Sequence, residues 1–131
     1  MSKFEFTPEQ LDQFFDAYRE CAAWSSSDCT EDGEERRFEA FEFSTDCHNT
    51  MLNDCKNFTD CYSVLIFRAM RQYPHYTIEQ AGHDFWLTRN HHGAGFWDRG
   101  IGKMGEALTK VSHQEGSVDL YLNDNDEIEQ N

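Results

Sequence analysis

The chain has 131 residues, enough to bury one modest core but not two, and carries 25 Asp and Glu against 11 Lys and Arg for a net charge of −14. With 15% aromatic and 38% hydrophobic residues it has the material to fold, which separates it from a disordered acidic tail. No apolar run is long enough to span a bilayer, and binding of nucleic acid through the whole surface is disfavoured because phosphates would be repelled.

The charge is segregated. Residues 1–60 hold 15 acids and 5 bases, residues 61–111 hold 4 and 6, and residues 112–131 hold 6 and none. An acidic front and tail thus flank a slightly basic middle, leaving a basic partner, or a small anion held by the middle segment, as the electrostatically favoured classes. The five cysteines, at 21, 29, 47, 55 and 61, are odd in number and lack zinc-ligand spacing, so they read as reduced thiols, and neither metal nor cofactor is expected. Met1-Ser2-Lys3-Phe4-Glu5 has no apolar run or cleavage pattern, which predicts a cytoplasmic protein.

Taken in chain order, Thr7-Pro8-Glu9-Gln10 signals a helix start, with a hydroxyl cap, proline at the first position and Gln10 at the capping-box position. The helix is predicted to reach about Trp24, with Leu11, Phe14, Phe15, Tyr18 and Ala22 inward and Glu9, Asp12, Asp16 and Glu20 on the opposite face. Residues 25–43 read as an acidic loop in which Phe38, Phe41 and Phe43 form a short extended piece. A second helix is expected from Ser44-Thr45-Asp46 to Tyr73, stopped by Pro74, with Met51, Cys55, Phe58, Tyr62, Leu65, Ile66, Ala69 and Tyr73 on its buried face. Residues 83–89 alternate in part and predict a strand entering the glycine-rich turn Asn90 to Gly95. A short helix over 103–113, broken by Gly116, precedes a strand over 117–122 expected to pair with the first strand. From about residue 124 the acidic tail is expected to be loose. The sum is a single α+β domain over 1–131: two long N-terminal helices packed on a small antiparallel sheet, with a short helix between its strands.

Ala81-Gly82-His83-Asp84-Phe85-Trp86-Leu87-Thr88-Arg89-Asn90, followed by His92-Gly93-Ala94-Gly95-Phe96-Trp97-Asp98-Arg99-Gly100, resembles the signature of an uncharacterised family of small proteins in phage and prophage genomes. The likeness extends to Glu20 through Asp28, to Leu108-Thr109 and to Asp119-Leu120-Tyr121. It implies a phage-type accessory protein working in the cytoplasm of an infected bacterial host, and carries over no activity. The family pattern reads Asn-Gly-His-Gly where this chain has Asn90-His91-His92-Gly93; if that glycine supplies a positive φ, His91 adopts it under strain.

The central motif supports four readings. In an enzyme, a small hydrolase for instance, His83 or His92 would be a general base oriented by Asp84 or Asp98, with Arg89 for an anion. In a metal site His83, Asp84 and His92 would be ligands, although no recognised spacing appears. In a nucleotide or cyclic-nucleotide pocket Trp86 or Trp97 would stack a base and Arg89 would meet a phosphate. Gly93 and Gly95 would admit it to backbone N–H groups, with Asn90 and Arg99 completing the candidate set. In a purely structural role the polar groups bond a buried turn under aromatic side chains. The acidic face of Glu9, Asp12, Asp16 and Glu20 is either a solvated surface or an imitation of a phosphate backbone. The favoured function is a non-enzymatic accessory protein that modulates a host or defence protein by occupying its basic nucleic-acid-binding surface, without contacting nucleic acid or membrane itself.

Overall fold

The computed structural model describes residues 5–131, which form an α+β fold. The first helix, α1 (Pro8–Trp24), starts as predicted: the Thr7 hydroxyl accepts the Gln10 N–H at 3.1 Å, and the Gln10 side chain accepts the Thr7 N–H at 2.9 Å. This reciprocal cap satisfies two of the donors that a helix start leaves open. Phe14, Phe15, Tyr18 and Ala22 are buried, and Leu11 is partly so.

The segment expected to be an acidic loop contains a hairpin. Strand β1 (Ser27–Cys29) pairs antiparallel with β2 (Glu35–Arg37) around a turn that uses Gly33 at φ 82°. Asp28 and Arg36 face each other in register, and the guanidinium donates two bonds of 2.8 and 2.7 Å to the carboxylate. A charge-rich stretch thereby closes through a bidentate pair. A 3-10 turn over Phe38–Ala40 buries Phe38 and leads to the short strand β3 (Glu42–Phe43).

Helix α2 (Thr45–Gln72) is capped by the Ser44 hydroxyl and stops before Pro74, as its sequence signals required. Cys47, Met51, Cys55, Phe58, Ile66 and Ala69 line its buried side. Tyr62, at φ −125° and ψ 16°, interrupts the helical run.

The next element corrects the sequence reading: residues 83–89 lie in a helix, α3 (Ile78–Arg89), and not in a strand. This helix is surrounded by the rest of the protein, with Ile78, Ala81, Gly82 and all of Asp84 through Arg89 buried. A helix buried all round has no polar face, so the 3.6-residue periodicity that identifies a surface helix is absent. Gly82 lets α3 cross α1 closely, because a Cβ there would run into the Phe14 carbonyl oxygen.

Helix α4 (Gly102–Glu115) ends at Gly116, whose φ of 83° favours glycine. Strand β4 (Leu120–Leu122) pairs antiparallel with β5 (Glu127–Gln130), and β3 pairs parallel with β5, giving the order β3-β5-β4. The sheet is therefore mixed, β4 does not pair with residues 83–89, and α4 connects α3 to β4 where a helix between two paired strands was expected. The C-terminal segment is ordered too: the Asn123 side chain accepts the N–H groups of Asn125 and Glu127, and Ile128 is buried. A single apolar side chain anchors an otherwise polar strand. The helix α1 packs chiefly on α3 rather than on the sheet.

Phe58 lies at the centre of the core, stacked on Phe85 at 3.9 Å, with Phe14 and Phe96 about one ring further out. Each such burial contributes roughly 1.5–3 kcal/mol. Among the described residues no helix is long and apolar enough to cross a membrane.

Candidate functional site

Three polar residues of the central motif, Asp84, Thr88 and Arg89, are buried. Asp84 is fully buried and accepts bonds from the Tyr76 hydroxyl at 2.8 Å, Arg99 Nε at 2.8 Å and Gln80 Nε2 at 3.1 Å. Burial raises its pKa above the ordinary aspartate value, while the bonds from Tyr76 and Arg99 and the bond from Gln80 act in the opposite direction. Burial likewise pushes the Tyr76 phenol up, with the neighbouring Asp84 charge adding to it.

Arg89, 5% exposed, is the most heavily bonded side chain. Its Nε donates to the Gly116 carbonyl at 2.8 Å and its Nη2 to the Glu115 carbonyl at 3.2 Å, which satisfies the end of α4. Its Nη1 donates to the Tyr18 hydroxyl at 3.2 Å and to Asp54 at 3.1 Å, and the guanidinium lies 5.0 Å from the Phe85 ring centre. Asn90 bridges the Trp86 carbonyl and the Val118 N–H, Trp86 gives its indole N–H to the Ser25 hydroxyl at 2.8 Å, and buried Thr88 accepts the Phe96 N–H. Gly95 permits that last approach, since a Cβ would meet Thr88 Oγ1 and the Trp97 ring.

The remaining candidates do not converge. His83 is half-buried beside Glu20, Cys21 and Trp24, and it is not among the partners of Asp84. His92 lines two clefts with Ser25, Ser26 and Ser27, one of which also includes Trp24. Gly93 has open space around its Cα, Trp97 is 46% exposed, and Asp98 is exposed. Arg99, though 26% exposed, is paired with Asp84. No histidine–carboxylate hydrogen bond links the proposed acid–base pairs among the described residues, and these contain no group of three metal-ligating side chains. His91 does take the left-handed conformation, at φ 58°, with its ring stacked 4.5 Å from that of His113.

Glu9, Asp12, Asp16 and Glu20 are all exposed along α1. Among the described residues only Asp16 of these four has a basic partner, Arg19 at 3.3 Å, which also donates to His48 and lies over the Phe15 ring. The i+4 row Asp12, Asp16, Glu20 continues to Trp24, which is 57% exposed. Sequence reasoning placed Trp24 at the helix end without a role. Its position off the stripe of Leu11, Phe14, Phe15, Tyr18 and Ala22 was the signal that it would stay outside. Among the described residues Trp24 walls clefts of about 190, 330 and 410 Å³, the last of which it shares with Asp16, Arg19, Glu20, Ala23, Glu39, Phe41 and Phe43.

All five cysteines are free thiols. Burial pushes Cys21 up to about 12 and Cys47 up to about 11, and raises Cys55 as well. No family model matches this chain, and neither a curated protein nor a solved structure does.

Proposed function

We propose that this protein is a non-enzymatic, phage-type accessory protein that binds a host or defence protein through the acidic face of α1, occupying a basic surface that otherwise takes nucleic acid. The observation that carries this reading is the exposed row Asp12, Asp16 and Glu20, preceded by Glu9, on a chain of net charge −14. Steps of three and four residues place successive carboxylates about 4.5–6 Å apart along the axis, a linear anionic ladder on a rigid support. The central motif weighs the same way: Arg89, the residue expected to meet a phosphate, and Trp86, one of the two stacking candidates, are bonded within the fold.

The test is capture from host lysate at low and high salt, comparing the natural chain with the triple variant Asp12→Lys, Asp16→Lys, Glu20→Lys. These side chains face solvent, so circular dichroism should be unchanged while capture is lost, and salt should weaken capture by the natural chain. Undiminished capture by a folded triple variant would refute the proposal.

A further inference from the structure

Trp24 is the exposed aromatic residue of this surface, and it stands one helical turn beyond Glu20 in the acidic row. Tryptophan offers a large apolar face and is enriched among the residues that dominate protein interfaces. Beside it, Ala23, Phe41 and Phe43 form the apolar part of the 410 Å³ groove; of its charged residues Arg19 is bonded to Asp16 and Glu39 to Arg37, which leaves Glu20 as the carboxylate with no basic partner among the described residues. An indole bordered by carboxylates suits a planar cation: the ring face attracts positive charge and the carboxylates accept its N–H groups.

The protein treats its own guanidinium groups in this way. Arg19 lies 5.1 Å from the Phe15 ring centre while bonded to Asp16, and Arg89 lies 5.0 Å from that of Phe85 while bonded to Asp54. Trp24 and Glu20 present the same two groups, an aromatic face and a carboxylate, and among the described residues neither has a cation bonded or stacked on its side chain; Arg19, in the same groove, is held by Asp16 and Phe15. Arginine fits better than lysine because its guanidinium is flat, weakly hydrated and able to stack while it hydrogen-bonds.

Resting on the reading of α1 as a partner-binding face, we propose that Trp24 is the anchor of that interface and receives an arginine side chain from an extended, arginine-bearing segment of the partner protein. The guanidinium lies on the indole and bonds Glu20, and the apolar groove at Ala23, Phe41 and Phe43 takes the neighbouring part of the segment.

The experiment is an NMR titration that follows the indole N–H signals of the three tryptophans, with the Trp24 signal assigned by its loss in Trp24→Phe. The probes are an eight-residue peptide of alternating arginine and glycine, and its lysine counterpart. The arginine peptide should shift the Trp24 signal saturably and leave that of exposed Trp97 in place. It should bind about twofold more tightly than the lysine peptide, whose ammonium keeps the charge but not the flat stacking, so the difference is part of an exposed cation–π contact. Trp24→Ala should remove this preference and Trp24→Phe should keep most of it. Equal binding of both peptides, an unmoved Trp24 signal, or unchanged affinity in Trp24→Ala would overturn the inference. In each of those cases, loss of peptide binding in the triple lysine variant would leave the acidic-face reading intact. If neither peptide binds at low salt, that reading falls and the anchor with it. A Trp24 signal that moves with protein concentration alone would assign the groove to a second copy of this chain and likewise overturn the inference.

Discussion

Arg89→Ala distinguishes a structural motif from a ligand site most sharply. The substitution removes donors from the Glu115 and Gly116 carbonyls, the Tyr18 hydroxyl and the Asp54 carboxylate, together with a cation over the Phe85 ring. Tyr18 is fully buried and cannot recover its bond from water, which costs about 1 kcal/mol. The two carbonyls at the end of α4 are partly accessible and regain some hydration, losing roughly 0.5–1 kcal/mol each. Asp54 is 28% exposed, so its loss stays well below the roughly 3–5 kcal/mol found when one member of a fully buried pair is removed. The expected destabilisation is about 3 kcal/mol, a large part of the roughly 5–15 kcal/mol available to a domain.

Urea unfolding followed by circular dichroism measures this directly, and the melting temperature should fall by roughly 10 °C for a chain of this size. Arg89→Lys should be intermediate, since an ammonium keeps the charge beside Asp54 but cannot reach all four acceptors. A panel of nucleotides and cyclic dinucleotides should leave the melting temperature of the natural chain unchanged. An Arg89→Ala protein within about 0.5 kcal/mol of the natural chain would refute the reasoning. The refutation would be complete if a nucleotide at about a hundred times its dissociation constant also stabilised only the natural chain, by about 2.7 kcal/mol.

Three other outcomes follow from the same geometry. A thiol reagent should label Cys29 and Cys61 in the native protein and all five cysteines only after unfolding, and rapid native labelling of Cys21, Cys47 or Cys55 would contradict their burial. His91→Gly should raise stability by about 0.5–1 kcal/mol in thermal or urea melts by relieving the φ of 58°, whereas His91→Ala keeps the strain, loses the His113 stack and should not gain. Burial holds the Asp84 proton more tightly in the folded than in the unfolded state, so its contribution to stability should fall as pH rises from the ordinary value of 3.8 through the raised folded value; urea melts of the natural chain against Asp84→Asn should show that difference declining across the window, and a rising difference would reverse the assignment.

Where local chemistry decides the structure, the sequence was legible. Thr7 with Pro8 and Gln10 marks the start of α1, Ser44 and Pro74 bracket α2, and Gly116 ends α4. The failures are cases in which distant parts of the chain decide. Helix α3 was read as a strand because burial on every side removes its polar face, although Thr77 with Gln80 three residues on is a helix-start signature, and the Thr77 hydroxyl does accept the Gln80 N–H. Strand β5 was read as a loose tail because its acidic residues conceal Ile128, and its parallel partner β3 lies far away in sequence.

The central motif stayed open between chemistry and structure for a related reason. Side chains such as His, Asp, Arg, Asn and Trp within twenty residues suggest chemistry when they are imagined around a pocket. Here Asp84, Trp86, Arg89 and the cap residue Asn90 radiate from one buried helix and tie it to different parts of the fold, while His83, His92, Trp97 and Asp98 do not join them. Asp84 holds Tyr76 and Arg99 on either side of α3, Arg89 joins Tyr18 of α1, Asp54 of α2 and the end of α4, and Asn90 fixes Val118 at the approach to β4. Buried polar groups require such partners, so a helix at the centre of a small domain accumulates the residue types that an active site would also use. The residues with no structural obligation are found elsewhere. Glu9, Asp12, Glu20 and Trp24 are exposed on α1, opposite its core-facing stripe, and the close packing of α1 on α3 at Gly82 needs none of them. On the proposal that α1 is a partner-binding face, binding rather than folding accounts for the choice of these residues.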